Sequence, residues 1–218
     1  MMKRARWEAR GFTISHIIVQ YRRLGEAYGE EFQRNRDLHG ARIQCRAGCS
    51  DCCSQLFQIT EIEAAEVSRG VAAQAESVRE RLRARAAQYL AERHGIVARS
   101  GLGATEAWGS LPPVGTRLAC PALEDGVCTI YEWRPLICRK FGVPLWNPDR
   151  PGRVYACEKN FRAGDEIDDP HLIRIQTGLH EQAKALQAAY NEQGGVRDPE
   201  PLTVARAILE DLSGFAPE

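Results

Sequence analysis

"CRAGCSDCCSQ", Cys45 to Gln55, sets four cysteines within nine residues, two of them adjacent. Either disulfides staple this stretch or its sulfurs converge on a metal. The rest of the 218-residue chain decides which. A chain of that length buries an ordinary core without covalent help, so small size does not call for disulfides. The basic start, "MMKRARWEARGFTISHIIVQYRR", holds an apolar run from Phe12 to Val19 that Thr13, Ser15 and His16 interrupt. No small-residue cleavage site follows it. The stretch reads as the beginning of an amphipathic helix rather than an export signal. No segment approaches the roughly 18 continuous apolar residues of a membrane span. The expected location is therefore the cytoplasm, where thiols stay reduced. Eight cysteines in that setting point to metal or redox chemistry.

The other four cysteines follow much later. The first cluster is Cys45-x3-Cys49-x2-Cys52-Cys53, and the second is Cys120-x7-Cys128-x9-Cys138-x18-Cys157. A two-residue gap lets one turn aim Cys49 and Cys52 at a single ion. Gly48 ahead of it permits an unusual backbone angle. Adjacent residues tend to point apart, so Cys52 and Cys53 are expected to serve different centres, or one of them to be a spare thiol. No histidine lies inside either cluster, and His39 is the nearest. All-thiolate ligation suits zinc or an iron–sulfur cluster, and spacing alone does not choose between them. All eight cysteines are candidate ligands. They suffice for two four-cysteine sites, or for one site with reactive positions left over.

Around the cysteines the chain reads as helix. Ile14, Ile17, Ile18, Tyr21, Leu24 and Tyr28 recur at three- and four-residue spacing, which predicts a helix over 12–40 with Gly40 as its stop. Thr60 followed by Glu63 predicts a capped helix start. A third run, from about Glu76 to Arg93, carries Val78, Leu82, Ala86, Tyr89 and Leu90 on one side and is expected to stop at Gly95. Residues 96–118 are dense in glycine and proline and read as a loop. "VCTIYEW" reads as a short strand, and Pro135 as the start of a short helix through Phe141. Leu172, Ile175, Leu179, Ala183, Leu186 and Tyr190 form a stripe ended by Gly194 and Gly195. A last helix is expected from Pro201 to Leu212. The fold class is therefore mainly α: helices flanking an irregular cysteine-rich core with little or no β-structure. The expected organisation is one domain over 1–218. It has the N-terminal helix at 12–40, the split cysteine core at 45–157 and C-terminal helices at 170–213.

Charge narrows the function. Lysine plus arginine equals aspartate plus glutamate at 29 each, so nothing global attracts nucleic acid or an anionic membrane. Arg79, Arg81, Arg83 and Arg85 alternate and so spread round a helix as a solvated face. Tyr131, Arg134 and Arg139 sit among the cysteines, where a cation tunes a thiolate centre or anchors an anionic substrate; otherwise Arg134 makes a structural salt bridge and Tyr131 packs in the core. Glu61 and Glu63 favour a helix N-terminus. His171 and His180 read as surface or packing residues. No serine or cysteine has a convincing histidine partner for nucleophilic catalysis, and no GxGxxG follows a strand.

Two stretches carry a family resemblance. "CRAGCSDCCSQLFQITEIEAAEV" resembles the opening of the CxxCxxCC cysteine-cluster family, also called the YkgJ family. "CPALEDGVCTIYEWRPLICRKFG" resembles its second half, and Cys157 stands where that family often has its last cysteine. The resemblance spans Cys45 to Cys157 and implies a zinc- or iron-chelating domain. It also implies a relation to flagellin lysine N-methylase, in which an iron–sulfur cluster is implicated in methyl transfer. Cys45-x3-Cys49-x2-Cys52 matches the triplet of radical S-adenosylmethionine enzymes as well. The helical pattern lacks the repeated strand–helix units of their barrel. Three roles follow as expectations. The first is a protein that binds an iron–sulfur cluster or zinc in an accessory or redox role. The second is a cluster-dependent group-transfer enzyme, and the third is a structural zinc module for a protein partner.

Overall fold

The computed structural model describes residues 13–100, 116–162 and 165–217. Helix α1 (Ile14–His39) buries Ile17, Ile18, Tyr21, Leu24 and Tyr28, the stripe its spacing predicts. Each such aliphatic side chain removed from water contributes about 1.5–3 kcal/mol. The helix ends at Gly40, whose φ of 52° is left-handed and costs glycine nothing. Helix α2 (Glu61–Ala72) starts on a capping box in which the Thr60 hydroxyl accepts from Glu63 N while Glu63 accepts from Thr60 N. Ten of its residues are buried, so it runs through the interior rather than along a surface. Helix α3 (Glu76–Ser100) passes through Gly95 instead of stopping there. Gly95 has no positive φ and ends no hydrogen-bond ladder. An interior glycine costs a helix only about 1 kcal/mol, which does not break it. The expected loop over 96–118 thus begins later, and its residues 101–115 lie outside the described ones.

Helix α4 (Leu136–Lys140) follows Pro135, as predicted. Helix α5 (Leu172–Glu192) carries the C-terminal stripe and ends before Gly194 at φ 69°. Helix α6 (Val204–Leu209) is shorter than the expected span. Thr203 is its cap, accepting from Arg206 N, which sets the start after Pro201. Its far end is cut by Asp211, whose carboxylate accepts from the backbone and hydroxyl of Ser213 and draws the chain into a 3-10 turn, Ser213–Phe215.

Strand content is small. β1 (Leu123–Glu124) and β2 (Val127–Cys128) pair antiparallel with Leu123 opposite Cys128. Asp125 and Gly126 join them at φ 49° and 77°, the two positive angles a tight hairpin turn requires. The expected strand over "VCTIYEW" is thus two residues long, and Tyr131–Trp133 is a 3-10 turn. β3 (Leu145–Trp146) and β4 (Val154–Tyr155) form a second antiparallel pair that packs against α5.

Two hydrophobic clusters flank α2. On one side Val67 and Val71 meet Leu82, Ala86 and Tyr89 of α3, Ala205 and Ile208 of α6, and Ala122 and Ile130. On the other, Ile62 joins Ile17, Tyr21, Leu24 and Tyr28 of α1, Leu179 and Tyr190 of α5, and Leu136 of α4. The cysteine segments lie where these clusters meet the irregular middle of the chain: Cys120 and Cys128 pack on the first, and α4 lies against α1.

Candidate metal centre

The first cysteine segment is two turns in series. Cys49 N donates to Arg46 O at 2.9 Å across Gly48, whose φ is 85°. Cys53 N then donates to Ser50 O at 2.9 Å, and Asp51–Ser54 forms a 3-10 turn. Three residues per turn set neighbouring side chains only about 120° apart, unlike the opposed faces of a strand. Cys52 and Cys53 therefore share one 3-10 turn rather than alternating across a strand.

Backbone hydrogen bonds stitch the second segment onto the first. Leu118 N donates to Ser54 O at 2.9 Å and Cys120 N to Cys53 O at 2.7 Å. The β1–β2 hairpin then returns the chain, so Cys128 lies one hairpin from Cys120. Arg81 and Arg85 of α3 both reach Glu124 of β1, at 2.8 and 3.1 Å, and Arg85 Nε also donates to Pro121 O. These two arginines do more than solvate a helix: they moor the hairpin that bears Cys128. Arg79 and Arg83 pair with Glu76 on their own helix.

Cys138 sits on α4, and Glu63 positions that helix. The Glu63 carboxylate accepts from Thr60 N at 2.8 Å and from Leu136 N at 2.9 Å, so one buried side chain caps both α2 and α4. Its helix-start role was legible in sequence, but its grip on α4 was not. Trp133, just before α4, lies against Gly70 of α2, where an added Cβ would come within 2.6 Å of the tryptophan. The Arg134 guanidinium stacks on Tyr131 at 3.6 Å, while Tyr131 is 55% exposed and so not a core residue. Arg139 donates to Glu132 O and Arg134 O and packs against Gly25 of α1.

Cys157 follows β4, and Asn160 ties its turn to Cys45. Asn160 N donates to Cys157 O at 2.8 Å. The Asn160 side chain, 2% exposed, donates from Nδ2 to Cys45 Sγ at 3.3 Å and to Gly142 O at 2.7 Å, and it accepts from Gln44 N at 2.9 Å. Gly142 makes room for the same sulfur. Its φ is 98°, and a Cβ there would stand 2.6 Å from Cys45 Sγ. Asp51 adds a polar clasp, meeting Lys159 at 3.0 Å and Arg117 at 3.3 Å. Of the histidines, His39 packs edge-on to Phe161 at 5.1 Å and His180 pairs with Asp149.

The electrostatics sort the thiols. Burial pushes the Cys45 thiol up, the Asn160 amide works against that, and Cys49, Cys157 and Cys52 add to the rise. Burial pushes Cys120 up to about 12, with Cys128 and Cys52 adding to it and the Ala122 amide and Arg85 opposing. Cys128 is raised by burial and eased by the Ile130 amide and Arg134. Cys138 is raised well above the usual range by burial, then by Cys120, Cys128, Glu63 and Cys52. Cys52 is raised first by its hydrogen bond with Cys53 and then by burial. Cys45 is thus raised by Cys49, Cys157 and Cys52, and Cys138 by Cys120, Cys128 and Cys52, so Cys52 bears on both.

None of the eight cysteines is in a disulfide, and all are partly buried. Among the described residues, no three histidine, cysteine or acidic side chains stand ready-arranged around one metal position. The donor chemistry nonetheless fits zinc or an iron–sulfur cluster: unbridged thiols in two segments, without histidine among them. A thiol binds metal only as thiolate, so burial that holds the protons on makes uptake a proton-releasing, pH-dependent step. No helix among the described residues is long and apolar enough to cross a membrane. No curated protein and no solved structure matches the chain. One family model does match, over residues 44–158, just over half of the chain and the whole span from Cys45 to Cys157. It is the model described as "CxxCxxCC: Putative zinc- or iron-chelating domain", and the chain belongs to that family.

Proposed function

We propose that this protein holds an iron–sulfur cluster or zinc through Cys45, Cys49, Cys52, Cys53, Cys120, Cys128, Cys138 and Cys157, in an accessory or redox role in the cytoplasm. The observation that carries the reading is the family match over 44–158 together with the backbone bond from Cys120 N to Cys53 O at 2.7 Å, which joins the two cysteine segments beside the vicinal pair. In this reading Cys45, Cys49 and Cys157 form one centre and Cys120, Cys128 and Cys138 the other. The vicinal pair completes both, the thiols drawing together as protons leave. Eight unbridged cysteines accord with a reducing compartment. The core and its flanking helices act as one unit, because α4, which bears Cys138, rests on α1.

Metal analysis and visible spectra of anaerobically purified protein test the reading, alongside Cys52→Ser. Stoichiometric iron with visible charge-transfer absorption identifies a cluster, and stoichiometric colourless zinc identifies zinc. Cys52→Ser should lower the metal content of both centres. Protein that holds neither metal, even after reconstitution, would sink the proposal. Zinc whose removal changes stability alone would support the structural zinc module with a protein partner. Group transfer would require a substrate site beside a thiol set.

A further inference from the structure

The turn after α1 and the loop after Cys157 enclose an open cavity of about 310 Å³, lined by Ala41, Arg42, Gln44, Lys159, Asn160, Arg162 and Asp165. That volume lies at the small end of the roughly 300–1,000 Å³ usual for ligand sites. Its wall carries three cations and one carboxylate. Arg42 is held by a bond from Nη1 to Glu166 O at 2.8 Å, and neither it nor Arg162 forms a salt bridge among the described residues. Lys159 shares its charge with Asp51 at 3.0 Å. Asp165 opposes an anion, but its Oδ2 already accepts from Arg162 N at 3.0 Å. Two guanidiniums without a salt bridge among the described residues, on one cavity wall, present forked donors suited to a carboxylate or a phosphoryl group.

The position of the cavity gives it meaning. Asn160 forms part of its wall and also donates to Cys45 Sγ, so a ligand there would sit one side chain from the first thiol set. We propose that this cavity binds a small molecule through a carboxylate or phosphate group, beside the Cys45–Cys49–Cys157 set. Binding of the anion stands apart from the metal reading; only its bearing on the thiol set rests on that reading.

Isothermal titration of the full chain with inorganic phosphate and with malonate tests this, on wild type, Arg42→Gln, Arg162→Gln and a control on α5, Lys184→Gln. Wild type should bind at least one probe. Loss of either arginine should weaken binding by about tenfold or more, the worth of a charge-assisted hydrogen bond. Lys184→Gln should bind as wild type does, and metal content should be equal in all four proteins. The preferred probe distinguishes a phosphoryl from a carboxylate ligand. Three outcomes would overturn the proposal: no binding of either probe, equal weakening in Lys184→Gln, or weakening that merely tracks metal loss. Metal analysis of the same samples judges the metal reading separately.

Discussion

At the scale of single residues, Asn160 is the side chain that ties the turn after Cys157 to Cys45. It is nearly sealed from solvent and makes three hydrogen bonds to Cys45 Sγ, Gly142 O and Gln44 N. A buried group that loses its partner costs about 1–3 kcal/mol. Asn160→Ala strands the Gln44 amide and the Gly142 carbonyl together, so a stability loss of that order is expected in urea denaturation. Asn160→Asp keeps the size but turns the donor facing Cys45 into an acceptor. It should bind less metal than wild type even where it folds, as measured by metal per chain. Partners that orient a ligand typically matter by 10- to about 100-fold in affinity. Equal metal in both variants would remove Asn160 from the site.

At the scale of elements, the placing of α4 against α2 decides where Cys138 stands. Gly70→Ala tests the contact with Trp133. In an exposed helix that change gains up to about 1 kcal/mol. Here the new methyl meets Trp133 Cβ and Cγ at 2.6 Å, atoms too close to the backbone to swing away. Overpacking of that kind costs about 1–3 kcal/mol, so the net effect should be destabilising, with a change in tryptophan fluorescence. Glu63→Ala should cost more than the roughly 1 kcal/mol of an ordinary lost cap, because it also leaves Leu136 N without its acceptor. A cost no larger than an ordinary cap would mean that α4 does not depend on Glu63.

At the scale of the whole molecule, a buried ionic network joins α1 to the start of α5. Arg34 meets Glu31 at 2.6 Å and Asp169 at 2.5 Å, and Gln176 of α5 donates to Glu31. Burial pushes the Asp169 carboxyl up, but Arg34 and the His171 amide outweigh it and hold it below its usual value. A depressed carboxyl contributes stability that is present above its unfolded value, about 3.9, and is lost as pH falls through the folded one. Urea denaturation at neutral pH and near pH 3 should therefore show an acid loss in wild type that is smaller in Asp169→Asn. At neutral pH the variant should be less stable by roughly 1.5–3 kcal/mol, the worth of hydrogen bonds to a charged group. An unchanged acid loss would assign it to other carboxylates.

Signals that act within one turn were open to reading from the chain alone. Gly40 and Gly194 end helices, Thr60 with Glu63 begins one, Pro135 begins another, and the apolar stripes of α1 and α5 follow from their spacing. The stop of α6 before Leu212 was missed, although its cause, Asp211, is local. The set of eight cysteines and their soft-ligand chemistry were equally plain, because residue type alone carries them. The placing of the segments that bear them was not. It depends on Cys120 N reaching Cys53 O, Asn160 reaching Cys45 across 115 positions, Glu63 capping a helix 73 positions away, and Arg81 and Arg85 holding Glu124. Such contacts leave no period in sequence, since chain separation does not encode which loops meet. Local signals in the chain were enough for most helix starts, the apolar stripes and the thiol inventory. Where the two cysteine segments meet, and that a basic cavity opens beside Cys45, came from long-range packing, because no local signal brings those segments together.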